Sequence, residues 1–196
     1  MSSMKRLAGL IITAALLYAM QITTPLYSEI TAPVPIPGKR GTKVDTSSFT
    51  IGIAKVHLTR SIVTTSFGRN HTHTTSGVWV IVEGAAVAKF ESLSLTSAQW
   101  LGHNGIRYAL SQRLHTIPGM LGTERLEPGI PRPVLMAFEI PESQLIDGKL
   151  LIARSALTPL GDEARIEMTD IQADDIRPAI ALGRGNRVLP WVLEAE

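Results

Sequence analysis

The 196-residue chain has no cysteine. That excludes a disulfide framework, a Cys-ligated metal centre, a thiol nucleophile and a lipid-modified N-terminal Cys. It leaves the redox compartment open. Charge is also scarce, with 18% of residues Asp, Glu, Lys or Arg and a formal net charge of +2. No basic run is longer than pairs such as Lys5-Arg6 and Lys39-Arg40. No basic stripe is interleaved with aromatics, so nucleic acid is not a partner this chain is built for. No Gly-x-Ser-x-Gly elbow is present. Gly183-Arg184-Gly185-Asn186 looks superficially like a phosphate-cradling loop. It lacks the Lys-Ser/Thr end and the strand-to-helix setting such a loop needs. Sustained helical periodicity is missing after residue 44. What remains is a chain that is 44% hydrophobic, enough for a sizeable core and too apolar for global disorder.

The one long hydrophobic run is at the N-terminus. Lys5-Arg6 precedes an uncharged stretch from Leu7 to Ile22. As a helix that stretch reaches about 24 Å at 1.5 Å per residue, short of a hydrocarbon core of about 30 Å. Thr23 to Leu26 narrow the gap. As a signal peptide its core length suits, but small residues are badly placed for cleavage. Cutting after Ala19 puts Leu17 at −3, and cutting after Ala32 puts Ile30 there. Signal anchor and cleaved signal therefore both stand for residues 1–24. Either one leaves Lys5-Arg6 in the cytoplasm and exports the rest. The expected location is an inner or plasma membrane, single pass with the C-terminal part outside, or secreted if the leader is cut.

Residues 25–43 contain Pro33, Pro35 and Pro37 in alternation. This favours polyproline II and forbids helix, so the segment reads as a semi-rigid spacer or as an arm lying on a domain surface. Residues 44–169 then read as strands and turns. Phe49, Ile51 and Ile53 alternate, and Val56 and Leu58 continue in the opposite phase, which predicts a bulge near Ala54-Lys55. Residues 66–77 are polar and read as a long exposed loop. Val78 to Val82 form an uninterrupted apolar run, expected to be a central strand buried on both faces before Glu83-Gly84 interrupts it. Asn104-Gly105 predicts a type I′ hairpin with Trp100 and Tyr108 as rungs.

Pro128-Gly129 predicts a type II turn. The strand after it carries Val134, Met136, Phe138 and Ile140 on one face, and Pro141 ends it. Asp147-Gly148 and residues 159–162 read as further turns. Residues 144–146 and 170–177 could each hold a short helical turn, and residues 170–196 form a C-terminal extension. The fold class expected is all-β: an Ig-like antiparallel β-sandwich of about seven to eight strands, preceded by a hydrophobic N-terminal helix.

The motifs Gly77-Val78-Trp79-Val80-Ile81-Val82, Asn104-Gly105 with Tyr108 and Ser111, Leu126-Glu127-Pro128-Gly129, and Phe138-Glu139-Ile140-Pro141 together carry a resemblance. Over roughly residues 49–169 the chain resembles the DUF4352-like, telokin-like extracellular domains of bacterial membrane-anchored proteins. It departs from that pattern at Glu83 to Val87. The resemblance implies an Ig-like fold at the cell surface and no catalytic residue.

Candidate chemistry is thin. His71 and His73, as His-Thr-His, would share one face of a strand, as chelation requires. Further ligands among His57, His103 and His115 cannot be read from spacing. Asp162-Glu163 and Asp174-Asp175 read as solvated acids rather than acid/base pairs. Trp79 and Trp100 read as core, and Trp191, after a glycine-rich loop, as the candidate for an exposed ligand platform. No catalytic, cofactor-binding or metal-ligating residue is assigned and no cofactor is expected. The expectation is a membrane-attached, non-catalytic binding or structural module with a protein partner. Its contact surfaces would be residues 66–77 and 170–196. A subunit of an envelope secretion or transport complex, and a metal enzyme centred on the histidines, are the competing classes.

Overall fold

The computed structural model describes residues 2–25, 31–66, 69–186 and 188–195. Two compact units divide the chain between Ala32 and Pro33. The first holds one helix, α1 (Ser2–Thr23). Within it, Arg6–Thr23 is an 18-residue apolar window with mean hydropathy 1.5 and no buried share. Its threonine hydroxyls are satisfied internally: Thr13 donates to the Gly9 carbonyl at 3.0 Å and Thr23 to that of Ala19 at 2.8 Å. Such back-bonding is how threonine fits an apolar helix. This helix is a candidate membrane anchor or signal sequence.

The second unit is a two-sheet β-sandwich. Its strands are β1 (Val34–Lys39), β2 (Lys43–Asp45), β3 (Phe49–Ser66), β4 (Arg69–Ala88), β5 (Ser97–Leu101), β6 (Arg107–Ala109), β7 (Arg132–Ile140), β8 (Lys149–Ala153), β9 (Asp162–Glu167), β10 (Ile176–Arg184) and β11 (Trp191–Ala195). One sheet has the order β1-β9-β8-β5-β6. The other runs β11-β10-β3-β4-β7, with β2 paired to the first part of β3. Between the sheets lie Phe49, Ile51, Val80, Val82, Trp100 and Phe138, all fully buried.

The sandwich and its apolar leader helix match the expected class. The strand count is higher, eleven among the described residues, because both chain ends join the sheets. Each adds a parallel pair to an otherwise antiparallel arrangement: β1 with β9 and β10 with β3. The proline-rich segment is thus an edge strand rather than a free spacer. Val34 N–H donates to Gly161 O at 2.9 Å and Arg40 N–H to Glu167 O at 3.4 Å. Even-numbered residues therefore bond to β9, and Pro35 and Pro37 occupy the outward positions, where no donor is needed. The same prolines blunt that edge.

The run from Val78 to Val82 is fully buried. Val78, Val80 and Val82 enter the inter-sheet core, while Trp79 and Ile81 enter a second cluster with Leu114, Met120, Leu135 and Trp191. That second cluster lies on the far face of β4, under residues 112–121. The bulge expected near Ala54-Lys55 is present as a register shift between Ile53 and Lys55. The Pro128-Gly129 turn is present too, with Gly129 at φ 72° and Ile130 N–H donating to Glu127 O.

Two turns differ from expectation. Asn104 has no positive φ, and Gly105 alone is left-handed at 82°. Gly105 N–H donates to Gly102 O and Gly102 N–H to Ile106 O. The loop is therefore three residues with a left-handed Gly in third place, not a type I′ pair. The rung Trp100–Tyr108 forms as expected. Residues 69–77, expected as loop, belong to β4, and 69–74 of them pair with the far half of β3. Their threonines favour extended backbone. Phe67 and Gly68, between β3 and β4 in sequence, lie outside the described residues. The helical turns expected at 144–146 and 170–177 are 3₁₀ turns at Glu142–Gln144 and Ala173–Asp175.

Candidate functional site

The two stretches singled out as contact surfaces share one sheet. Residues 69–74 pair with β3, β3 pairs with β10, and β10 pairs with β11. The far face of that sheet carries a connected set of polar side chains.

His71 and His73 sit opposite Thr64 and Ile62, on one face as the alternation predicts. His73 Nε2 lies 3.0 Å from Thr64 Oγ1. The His73 carbonyl accepts from Trp79 Nε1 at 3.0 Å. Arg113 stacks over the Trp79 ring at 5.2 Å from its centroid. Its Nη1 donates to Glu139 Oε2 and to Thr74 O, each at 2.9 Å, and Ser111 Oγ donates to the other Glu139 oxygen at 2.7 Å. Burial holds the His73 imidazole below its usual range, helped by the positive charges of Arg113 and His71 and opposed by Glu139.

A histidine whose folded pKa lies below its unfolded one is stabilising when neutral. That contribution is complete above the ordinary value of 6.5 and is lost as pH falls through the lowered folded value. The thermal midpoint is therefore expected to fall on acidification from about pH 7.5 to about pH 5, and His73→Gln should flatten that fall. An unchanged slope in the variant would contradict the assignment.

Glu83, which breaks the apolar run, is the site residue that sequence reasoning passed over. Its Oε1 lies 2.6 Å from His57 Nε2 and its Oε2 accepts from Trp191 Nε1 at 2.9 Å. Both oxygens are used, so the group fastens the C-terminal strand to the sheet. The signal was available: a lone carboxylate inside a central strand needs partners to be buried. Trp191 is buried at 1% exposure, which corrects its reading as an exposed platform.

Elsewhere, His115 Nδ1 lies 2.6 Å from Gln112 O, and His103 is exposed in the β5–β6 turn. Among the described residues no three His, Asp or Glu are grouped to hold a metal ion. Glu163 is not solvated as expected: it is 5% exposed and paired with Arg165 at 2.7 Å and Arg107 at 3.4 Å. Asp174 and Asp175 are exposed and line a cleft of about 530 Å³ with Arg40, His57 and Arg177. The cleft exists because β2 covers β3 at Thr50–Gly52 and β10 only from Leu58, leaving a gap between them.

The sheet edges differ sharply. β1 carries prolines, and β6 is three residues long. β7 is covered: Leu135 exchanges backbone bonds with Gly119 and Leu121, and Ser111 N–H donates to Ala137 O. β11 ends its sheet with five residues and no strand beyond it among the described residues. Val192 on it is 42% exposed.

No family model matches the chain, and no curated protein matches it. Solved structures resemble it at the level of fold. An uncharacterized β-sandwich protein from Clostridium difficile 630 is 11% identical with a TM-score of 0.43, over 70% of this chain and 96% of that one. The yjhA protein from Bacillus subtilis is 13% identical with a TM-score of 0.49, over 66% and 99%. A conserved hypothetical protein from Bacillus anthracis is 14% identical with a TM-score of 0.43, over 62% and 93%. The class defined by the sheets themselves is a β-sandwich protein with an N-terminal apolar helix.

Proposed function

We propose that this chain is a non-catalytic envelope module, delivered to a membrane by α1 with its sandwich extracytoplasmic, that binds a protein partner through the open edge of β11. One observation carries the reading. Among the described residues, β11 alone of the sheet edges combines several residues, an exposed apolar side chain and no proline or covering segment. Natural sandwiches usually protect such an edge, since alternate N–H and C=O groups point outward from it and accept a further strand. The Glu83–Trp191 bond and the buried indole hold the strand in place for that purpose. The DUF4352-like resemblance supports the surface location.

The test is a photo-crosslinking side chain at position 192 of the full chain in native membranes, with Ile146 as control. Ile146 is 58% exposed and precedes β8 in the other sheet. A discrete adduct from 192 and none from 146, lost when Lys replaces the neighbouring exposed Glu194, supports edge pairing. Equal or absent adducts at both positions refute it.

A further inference from the structure

The exposed large apolar side chains of the sandwich are unevenly distributed. Five of them are Val34, Phe90, Ile130, Leu157 and Leu160, and Phe90 and Leu157 are 82% and 89% exposed. All five belong to one end. There the loops are tied together: Ser47 N–H donates to the Asp162 carboxylate, Arg154 pairs with Glu91 at 2.7 Å, and Gly129 N–H donates to Ala88 O at 3.1 Å. The same end is where the chain enters the sandwich. Val34 opens β1 and donates to Gly161 O at 2.9 Å, beside Leu160. An isolated exposed Leu needs no explanation, but several on neighbouring loop tips do.

We infer that this end is a lipid-docking surface, with Phe90, Ile130, Leu157 and Leu160 seated in the headgroup and upper acyl region of the membrane that α1 enters. The inference rests on the membrane-anchor reading of α1. Ten residues separate Thr23 from Val34, and fully extended they reach at most about 36 Å. The covalent connection to α1 therefore joins the sandwich at this end and at no other. The remaining exposed apolar residues sit elsewhere: Ile106 and Ile146 at the opposite end of the β5–β8 sheet, and Val188, Leu189 and Val192 around β11. Charges at the docking end are mostly spent on each other, with Lys89 paired to Asp45 at 2.9 Å and Arg125 to Glu127 at 3.4 Å. Docking is thus driven by apolar side chains and is indifferent to lipid charge and to salt.

The absence of cysteine makes the test clean. Single cysteines at positions 12, 90, 157, 146 and 188 of the full chain are labelled with an environment-sensitive dye. Each protein is then reconstituted in phosphatidylcholine vesicles carrying a nitroxide on the lipid headgroup and, in a parallel set, on the acyl chain. Dyes at 90 and 157 should be blue-shifted and quenched several-fold more than those at 146 and 188, equally in low and high salt. Leu157→Glu with Ile130→Glu should abolish the quenching at 90. If position 12 is quenched by acyl-chain nitroxides while 90 and 157 are not, docking is wrong and the anchor stands. If position 12 is unquenched, the anchor fails and docking falls with it. A blue shift at 90 and 157 without lipid quenching would mean that protein, such as a second copy, covers the end, and would also overturn the inference.

Discussion

Trp100→Ala should lower the stability of the sandwich by about 3–5 kcal/mol, the range for truncating a buried aromatic. The side chain is fully buried on β5, its ring centroid 6.4 Å from that of Phe138 with the planes tilted by 51°. Its indole N–H donates to Gln144 O at 2.9 Å, so truncation also strands a buried carbonyl. The pocket cannot collapse easily from below. Gly148 is already in contact there, and even a Cβ on it would come within 2.2 Å of the ring. Domains of this size are typically stable by about 5–15 kcal/mol, so the variant keeps a fraction of that margin. The measurement is chemical denaturation of the full chain in detergent, followed by far-UV circular dichroism. The midpoint should drop sharply at nearly constant slope. Trp100→Phe, which keeps most of the volume and loses the donor, should cost about 1–2 kcal/mol. A Trp100→Ala midpoint within error of the parent would remove the claim that the inter-sheet core is organised on this residue.

Legibility followed burial. Val78 to Val82 could be assigned to a doubly buried strand because continuous apolar β-formers have few other stable placements. The strand from Arg132 to Ile140 was readable because its alternation and its terminal Pro141 agree. The proline-rich segment reads as either a spacer or a surface arm because proline's fixed φ suits both polyproline II and an edge strand. Only the pairing partner distinguishes them, and Asp162–Glu167 lies more than a hundred positions away. Residues 69–77 read as a loop because they are polar, yet 69–74 pair with β3. A hairpin whose one face is solvated can be as polar as a loop and still be fully paired. Trp191 was misplaced for a related reason: its partner, Glu83, is 108 positions away. Glycine-rich flanks say nothing about what lies under a side chain. The histidine pair was read correctly as sharing a face. Whether other ligands converge on that face is a tertiary fact that spacing cannot supply.

Trp191→Ala should have a comparable packing cost, about 3–5 kcal/mol, but a different signature. β11 is an edge strand held by a single ladder to β10, by the Trp191–Glu83 bond and by the indole's packing against Gly119. Removing the indole takes away two of these three restraints. The strand should therefore open locally before the domain unfolds, because sub-global opening needs only the contacts that cross its boundary. Amide exchange in β10 and β11 should accelerate by about 10²-fold or more, at about 1.4 kcal/mol per factor of ten. The amides of β4 and β7 should change far less. In Trp100→Ala the acceleration should instead be spread over both sheets. Gly119→Ala should reproduce the β11 pattern from the opposite side. Gly119 sits at φ 86° and its added Cβ would come within 2.2 Å of the Trp191 ring, so backbone strain and displacement of the indole act together. In both variants the crosslink from position 192 should disappear although that residue is untouched, since a frayed strand offers no edge to pair with. Uniform exchange acceleration across all strands would mean that β11 unfolds only with the whole sandwich. A preserved crosslink would mean that the partner does not need the strand in place.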